Sequence, residues 1–406
     1  MNDTRTFRWM VLPITLALLL AVPPAMADVV TEWNVTANEV VASLPPPPAN
    51  RTIAMVQTAV YEAVNAITKR YPADRVTPNA APDASVAAAV AAANRVMLLR
   101  LVPSQQAAID KAYGTALSAI ADGPSKTAGI AIGEQAAAAV IAWRADDNAG
   151  APERYRPATT AGAYVPTSIP AVPQWPQRKP WVMTSCDQFR PGPPPALSSE
   201  VWTRDFNESK AVGAKNSTTR TPAQTETARF WEANGPVIYY PVVRSVANMP
   251  GRDVTQNARL LALTAMGIDD ALIAVFDAKY HYNFWRPITA IRNGDIDGND
   301  ATDRDAGWLP FVDAPMHPEY PCAHCIVSGA VAGVLAAEIG NGPTPTLTTT
   351  SPTAPGVVHS WTSIDAFVLE VANGRIWEGV HYRNSAEVGT AMGKKIGALT
   401  AANALR

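Results

Sequence analysis

One stretch of the sequence constrains the fold more than any other: residues 254–280, which read VTQNARLLALTAMGIDDALIAVFDAKY. Its apolar residues recur every three to four positions, which is the spacing of one face of an α-helix. Similar periodicity occurs along the chain, at 51–70, 84–101, 104–121, 124–147, 198–213, 221–235, 324–340, 361–373 and 385–404. The sequence contains no alternating strand pattern of useful length. We therefore predict an all-α fold.

The helical pattern is interrupted once over a long distance. Residues 151–198 are rich in proline, contain Trp175 and Trp181, and show no periodicity. We predict that they form a long irregular connection, which is usually either functional or tied down. The connection separates an N-terminal helical region at 28–150 from a C-terminal helical bundle at 199–406, and the two bundles are expected to pack together.

A shorter proline run precedes the first predicted helix. The sequence SLPPPPAN at 43–50 favours polyproline II. Because proline lacks a backbone N–H, these residues should stop any structure before the helix at 51–70.

The N-terminus resembles a secretory signal peptide. A short positive region precedes an apolar run at 9–22 and an A-x-A cleavage sequence at 25–27. We predict a signal peptide at 1–27, with Asp28 as the first mature residue and an exported protein, periplasmic or secreted. An uncleaved anchor is the alternative. No later run is long and apolar enough to predict a membrane span after signal cleavage.

The composition indicates a globular protein, with 48% hydrophobic and 17% charged residues. The net charge of −2 argues against nucleic acid as a partner. The chain has only three cysteines, Cys186, Cys322 and Cys325. This odd, low number excludes a disulfide scaffold.

Two of these cysteines lie in HPEYPCAHCIVSGA, residues 317–330. One interpretation is a redox or disulfide pair of Cys322 and Cys325, although thiol oxidoreductases usually place this motif on a βαβ fold. A second is a zinc site with His317, Glu319 and His324 as candidate ligands. The third is a turn that feeds a helix N-terminus, whose free N–H groups bind anions.

An acidic stretch, NGDIDGNDATDRD at 293–305, resembles a calcium loop. It lacks the bidentate glutamate that an EF-hand places at position 12. A solvated acidic turn is the favoured interpretation, with calcium as a less favoured alternative.

Cations and histidines cluster in the last third of the chain, where all five histidines lie. Lys279 and Arg286 are seven residues apart, which would place them on one helix face about 10 Å apart. Aromatic neighbours suggest burial, and buried cations need an anion. Arg375 and His381 are six apart, but Gly374 and Gly379 allow a break that lets both side chains converge.

These residues together predict a site for a tetrahedral oxyanion. Three cations, Lys279, Arg286 and Arg375, offset its charge, and guanidinium groups bind its oxygens in a fork. One histidine can attack or ligate the central atom and another can move protons.

The order of these blocks resembles a known superfamily signature: K-x6-R-P, then P-S-G-H, then S-R-x5-H-x3-D. It belongs to the superfamily of type-2 phosphatidic acid phosphatases, bacterial acid phosphatases and vanadium-dependent haloperoxidases. The matching residues here are Lys279…Arg286-Pro287, Pro321-Cys322-Ala323-His324 and Gly374-Arg375…His381…Ser385. The N-terminal half and the connection are similar to the soluble, exported haloperoxidase-like branch.

The resemblance implies a role for each residue. Lys279, Arg286 and Arg375 would bind the oxyanion with the turn at Cys322 and Ala323. His381 would be the vanadate ligand, or the phosphorylated nucleophile of a phosphatase, and His324 the acid or base. The cofactor would be vanadate, and the substrates peroxide and halide.

The alternatives are an exported acid phosphatase acting on phosphomonoesters, a non-catalytic oxyanion binder, and a thiol oxidoreductase. Three departures from the signature predict weaker anion binding or slower turnover. Cys322 replaces a serine, Ala323 a glycine, and Ser385 the aspartate that orients the ligating histidine.

Overall fold

The computed structural model describes residues 28–73, 78, 80, 81 and 83–405, and most of them are helical. The α-helices of the described residues are α1 Val29–Val41, α2 Pro46–Thr68, α3 Val86–Leu101, α4 Gln106–Ser118, α5 Pro124–Trp143, α6 Glu200–Val212, α7 Pro222–Glu232, α8 Pro236–Ala247, α9 Val254–Tyr282, α10 Pro287–Arg292, α11 Ala323–Ile339, α12 Ile364–Trp377 and α13 Arg383–Asn403. Short 3₁₀ turns occur at Pro103–Gln105, Trp175–Gln177 and Gly294–Ile296. The predicted helical class is confirmed, whereas the predicted signal peptide at 1–27 lies outside the described residues.

Two local predictions are wrong. The chain forms a helix, α1, before the proline run, and Pro46 and Pro47 begin α2 rather than preceding it. Proline is well placed there, because the first helical residues have no intrahelical acceptor for an N–H. A β-hairpin was not predicted either, and it pairs β1 Leu347–Ser351 with β2 Ala354–Trp361 in antiparallel register.

Helix α9 forms the centre of the fold. It packs against α2, α8, α11 and α13, and nearly every residue from Leu260 to Lys279 is buried. Its start is fixed by a capping box, in which Asp253 accepts the N–H of Gln256 and the Gln256 side chain accepts the N–H of Asp253. All the helices except α6 and α10 contribute side chains to one hydrophobic cluster around this helix, and α6 and α10 belong to a second cluster. The division into domains at 150 and 198 stays a prediction.

The irregular connection between α5 and α6 is tied to α9 by two buried aspartates. Asp269 accepts hydrogen bonds from both terminal nitrogens of Arg178, at 2.6 and 2.9 Å. Asp270 accepts the backbone N–H groups of Trp181, Val182 and Met183 at 2.7 to 3.0 Å. These bonds explain how a segment without secondary structure keeps a fixed course over the helices.

Helices α11 and α13 approach closely through glycines. A Cβ at Gly393 would overlap the carbonyl oxygen of Ile326, and one at Gly397 would overlap that of Ala330. Gly329 and Gly333 of α11 face the same interface. The close approach brings the N-terminus of α11 beside the start of α13, where the Cys322 N–H donates to the Ser385 carbonyl oxygen at 3.2 Å.

Among the described residues, no single helix has the length and apolarity needed to cross a membrane. One strongly bent pair, Val86–Leu101 with Pro103–Ser118, meets those criteria by length and composition alone.

Candidate oxyanion site

Lys279 and Arg286 come from different helices. Lys279 lies in the last turn of α9, which ends at Tyr282 because Asn283 adopts a left-handed conformation with φ of 50°. Arg286 is the N-cap of α10, and Pro287 is its first residue. The prediction of one continuous helix face is therefore wrong, since a helix does not continue through left-handed backbone. Both cations are nevertheless buried, with exposed fractions of 0% and 1%.

Both cations hold the segment that precedes α11. Lys279 Nζ donates to the carbonyl oxygens of Pro318 and Glu319 at 2.9 and 2.7 Å. Arg286 Nε donates to the carbonyl oxygen of His317 at 3.0 Å. These carbonyl groups offset part of the cost of burying the two charges.

The N-terminus of α11 begins at the predicted turn. Cys322 is its N-cap, and the Cys322 Sγ accepts the N–H of Cys325 at 3.3 Å. The N–H groups of Ala323 and His324 have no acceptor within the described chain. Such N–H groups carry the partial positive charge of a helix N-terminus, which favours an anion.

The thiols are not paired. Cys322, Cys325 and Cys186 are all free. The disulfide between Cys322 and Cys325, which the sequence analysis considered, is therefore absent. The Cys322 sulfur caps the helix instead. Cys322 and Cys325 have no exposed surface. A protein dithiol cannot reach them in this conformation, which argues against a thiol oxidoreductase site.

His381 lies in the loop between α12 and α13. Gly379 turns the chain there with φ of 76°, and it approaches Gly213 so closely that a Cβ would overlap the Gly213 carbonyl oxygen. The predicted break therefore occurs at Gly379. It does not occur at Gly374, which lies inside α12 and packs against Trp231.

A carboxylate orients His381. Glu319 Oε1 is 2.6 Å from His381 Nδ1 and also accepts the N–H of Tyr382 at 3.1 Å. On the other side of the ring, Nε2 is 3.2 Å from Nη1 of Arg286, a group that can only donate. Nδ1 therefore carries the ring proton and donates it to Glu319. The Nε2 lone pair accepts this Arg286 N–H, so Nε2 can act as a nucleophile or ligand only when that hydrogen bond is broken.

Arg375, in the last turn of α12, brings a third cation to the site. Its Nη1 donates to the carbonyl oxygen of Trp231 at 2.8 Å and lies 2.5 Å from Glu378 Oε2. Its buried Nε has no hydrogen-bond partner among the described residues. Arg375 thus keeps an unused donor inside the protein, where an unpaired donor is expensive.

His324, in the first turn of α11, is the second predicted catalytic histidine. Its Nε2 lies 3.2 Å from the carbonyl oxygen of Ala233, which can only accept. Nε2 therefore carries the proton, and Nδ1 keeps the lone pair.

Burial controls the protonation of the site. It lowers the pKa of His381, His324 and His317 well below the ordinary value, and the nearby cations lower it further, so the three imidazoles are neutral. Burial also lowers the pKa of Lys279 well below its usual range. The pKa of Glu319 is raised to about 7, mainly by burial, with the Lys279 ammonium opposing the shift.

A cavity of about 230 Å³ opens onto these groups. Its lining residues include the four titratable side chains His317, His324, Arg375 and His381. Of the predicted oxyanion residues, Ala323 and Arg375 contribute to the lining. Lys279, Arg286 and Cys322 are buried outside it.

The structure adds residues that the sequence analysis missed. Glu319 was considered only as a zinc ligand, although its carboxylate is the partner of His381. Glu378, the partner of Arg375, and the Trp231 carbonyl were not considered at all. The spacing from Glu378 to Arg375 is a usual helical ion pair and could have been recognised. The pairing of Glu319 with His381 spans 62 residues and leaves no pattern in the sequence.

The zinc and calcium alternatives receive no structural support. In the part of the chain that the structure describes, no three His, Cys, Asp or Glu side chains are grouped so that they could hold a metal ion. In the acidic stretch, Asp297 accepts hydrogen bonds from Trp202 Nε1 at 2.9 Å, the Thr302 hydroxyl at 2.7 Å and the Asn299 N–H at 2.9 Å. Asp297 therefore fixes the loop locally.

Comparisons with known proteins agree with this architecture. Residues 259–406 match the family model for the VCPO second helical-bundle domain. The chain is 26% identical over 371 residues to the vanadium chloroperoxidase of Curvularia inaequalis, an alignment that covers 70% of this chain. This chain spans only 60% of the length of that relative.

Solved structures share the fold over nearly the whole chain. A bacterial vanadium-dependent iodoperoxidase is similar with a TM-score of 0.78 and 24% identity, covering 92% of this chain and 95% of the other. The holo form of a bacterial vanadium-dependent chloroperoxidase has a TM-score of 0.70 and 16% identity, with coverages of 90% and 95%. In fold and C-terminal domain, this chain fits the superfamily of type-2 phosphatidic acid phosphatases, bacterial acid phosphatases and vanadium-dependent haloperoxidases.

Proposed function

We propose that this chain is a vanadium-dependent haloperoxidase-like enzyme that binds vanadate at the site described above and uses peroxide to oxidise halide. One observation carries the proposal. A neutral His381 whose Nε2 accepts only from Arg286, an Arg375 with an unused donor, and the free N–H groups of Ala323 and His324 belong to one buried site. The printed names of the similar proteins support vanadium as the cofactor.

The donor set fits a tetrahedral oxyanion. Three buried basic side chains face only two buried carboxylates, Glu319 and Glu378, so one basic group is in excess even when both carboxylates are ionised. Buried cations without full compensation favour a bound anion. Vanadate would be held by His381 Nε2, by Arg375 and by the α11 N–H groups, with Lys279 and Arg286 supplying further positive charge. When bound, it would supply the Lewis-acid centre at which peroxide is activated toward halide.

The residues of the chain have separate tasks in this scheme. Glu319 holds the His381 ring in one tautomer and one orientation. His324 Nδ1 can accept a proton and return it, because Nε2 is already used by the Ala233 carbonyl. His381, Arg375 and His324 are themselves buried, which strengthens the electrostatic interactions among them.

The setting in the cell belongs to the same proposal. The signal-like sequence at 1–27 supports export to the periplasm or the medium. Peroxide and halide are small enough to enter the cavity, so no macromolecular partner is required.

Turnover assays on the purified chain test the proposal. Vanadate-loaded protein should brominate a phenol dye only when both bromide and peroxide are present, and His381→Ala should abolish this activity. The His281→Ala variant is a matched control, because His281 is exposed and does not line the cavity.

The same preparation without vanadate should be tested on a phosphomonoester. Phosphate release that vanadate inhibits would assign the chain to the phosphatases, since a neutral, oriented imidazole can also act as a nucleophile. Vanadate binding without either activity would indicate a non-catalytic oxyanion binder and would refute the enzymatic proposal.

A further inference from the structure

Carbonyl groups at the end of α7 hold two side chains of the candidate site. The Trp231 carbonyl oxygen accepts a hydrogen bond from Arg375 Nη1 at 2.8 Å, and the Ala233 carbonyl oxygen lies 3.2 Å from His324 Nε2. The last carbonyl groups of a helix have no donor within the helix, so they are free to accept from side chains. The position of the end of α7 therefore affects both Arg375 and His324.

Glu370, in α12, binds the side chain of the same tryptophan. Its Oε1 accepts the Nε1–H of Trp231 at 3.0 Å. The indole is fully buried and lies against Gly374, where a Cβ would be only 3.0 Å from Trp231 Cδ1. Trp231 is thus bonded to α12 at both ends, by its side chain to Glu370 and by its carbonyl group to Arg375.

The β-hairpin binds the same carboxylate. Glu370 Oε1 also lies 2.5 Å from His359 Nδ1, and its Oε2 accepts the Nε1–H of Trp361 at 2.9 Å. The His359 ring stacks on Phe230 of α7 with 3.9 Å between ring centroids, and the Ser351 hydroxyl donates to the Phe230 carbonyl oxygen at 2.7 Å. The hairpin therefore ties α7 to α12 around Glu370.

The hydrogen bonds to Glu370 keep it ionised. Burial would raise the pKa of this carboxyl, but the hydrogen bonds from His359, Trp231 and Trp361 hold the pKa below its ordinary value. Hydrogen bonds to an ionised group are about twice as strong as those between neutral groups. Glu370 does not line the cavity, so it reaches the site only through its neighbours.

We propose that Glu370 is a positioning residue for Arg375 and acts through Trp231. The carboxylate fixes the indole, and the Trp231 carbonyl then holds one terminal nitrogen of Arg375. This keeps the guanidinium in the orientation in which it lines the cavity. The inference rests on the function proposed above, because it concerns how the same site binds its oxyanion.

A double-mutant cycle of Glu370 and Arg375 tests the inference. Calorimetry measures the affinity for inorganic vanadate in the native chain, in Glu370→Ala, in Arg375→Met and in the double variant. Glu370→Ala alone should weaken binding about three- to tenfold, which corresponds to the net value of one hydrogen bond. In the Arg375→Met background it should have no further effect, because the residue through which it acts is gone. Equal losses in both backgrounds would overturn the inference.

Two tryptophan variants form a matched pair. Trp231→Phe keeps a ring against Gly374 but loses the Nε1–H, so it should weaken vanadate binding as Glu370→Ala does. Trp361→Phe also removes one indole hydrogen bond to Glu370, but Trp361 makes no bond to Arg375, so affinity should stay near the native value. Glu370→Gln should also bind nearly normally, because an amide oxygen at the Oε1 position can still accept from Trp231. Equal effects of the two phenylalanine variants would contradict the proposed route.

The NMR signal of the Arg375 Nε–H separates this inference from the proposed function. This N–H is buried, so its exchange with water is slow enough for detection, and its loss in Arg375→Met assigns it. Without any oxyanion, the signal should shift in Glu370→Ala and Trp231→Phe and stay unchanged in Trp361→Phe. A native chain that binds no vanadate would refute the proposed function, and the shift would still decide the inference. An unmoved Arg375 signal in Glu370→Ala would overturn the inference whether or not vanadate binds.

Discussion

At the scale of single residues, His381 and its partner define the site. The sequence motif predicted His381 as the ligand or nucleophile, but it also suggested that the orienting carboxylate was lost, because Ser385 stands in its place. In the structure, Glu319 approaches the same ring nitrogen from the segment before α11. A histidine in a short motif can be recognised from sequence. A carboxylate that reaches it from 62 residues away cannot.

Replacing Glu319 should weaken vanadate binding through the orientation of His381. We expect Glu319→Ala to lower the affinity for vanadate about ten- to a hundredfold, as losses of such orienting partners do. Glu319→Gln should lose much less, because its amide oxygen can still accept the Nδ1 proton. The ¹⁵N shifts of His381 report the tautomer directly. An unchanged affinity for vanadate in the alanine variant would contradict the assigned role.

The raised pKa of Glu319 also predicts how stability depends on pH. The folded-state pKa of about 7 lies above the ordinary value of 4.5, so between these values the folded protein holds a proton that the unfolded chain has released. The contribution of Glu319 to the free energy of unfolding should therefore be fully present below pH 4.5. It should be lost as pH rises through 7, by at most about 1.4 kcal/mol per pH unit.

Urea unfolding of phosphate-free protein between pH 4.5 and 8 checks this prediction. Glu319→Gln should flatten the decline. The groups that face Glu319, namely Lys279, Arg286, His381 and Tyr382, remain in both proteins, so the difference between the two curves isolates its titration. Parallel curves would show that Glu319 does not titrate in this range.

At the scale of secondary-structure elements, helix existence was predictable but helix ends were not. The periodicity of 254–280 and the apolar run after Cys325 correspond to α9 and α11. The break at Asn283, which separates Lys279 from Arg286, depends on a single left-handed residue. The hairpin was missed because β1 is mostly threonine and β2 is largely exposed, so neither strand shows apolar alternation.

The glycine contact of α11 and α13 should be intolerant of a single methyl group. We expect Gly393→Ala to lower stability by about 1–3 kcal/mol, since its Cβ would meet the Ile326 carbonyl. The shift of α11 should also weaken vanadate binding. Thermal unfolding and vanadate titration measure the two effects.

Gly114→Ala is the control for this change. Gly114 lies inside α4 with no atom near the position of its Cβ, so alanine should stabilise the protein by about 0.5–1 kcal/mol through helix propensity. Equal behaviour of the two variants would contradict the packing account.

At the scale of the whole molecule, buried charges organise the irregular connection. The sequence predicted that such a long segment would be functional or tied down, and the structure shows it tied through Arg178 to Asp269 and Asp147. The same segment contributes Ala171 and Val172 to the cavity. The sequence could not predict that Asp269 or Asp147 pairs with Arg178, because each of these ion pairs joins residues far apart in the chain.

Removing Arg178 should loosen the whole connection. Arg178→Met removes the ion-pair partner of the buried Asp269, while Asp147 keeps Arg51 and Arg144, and loss of one partner from a buried pair typically costs about 3–5 kcal/mol. The exposed Arg156, 3.9 Å from Glu153, provides the control, because Arg156→Met should change stability by less than about 1 kcal/mol. Urea denaturation of both variants tests the difference. Equal losses would mean that the buried network is not what fixes the connection.

The most direct test of the central claim is calorimetric titration of vanadate into the purified mature chain and its Arg375→Met and His381→Ala variants. The account predicts one vanadate per chain for the native protein, with affinity lowered at least tenfold in each variant while far-UV circular dichroism stays unchanged. Absence of stoichiometric binding, or variants that bind as tightly as the native chain, would contradict the assignment of this cavity as the oxyanion site.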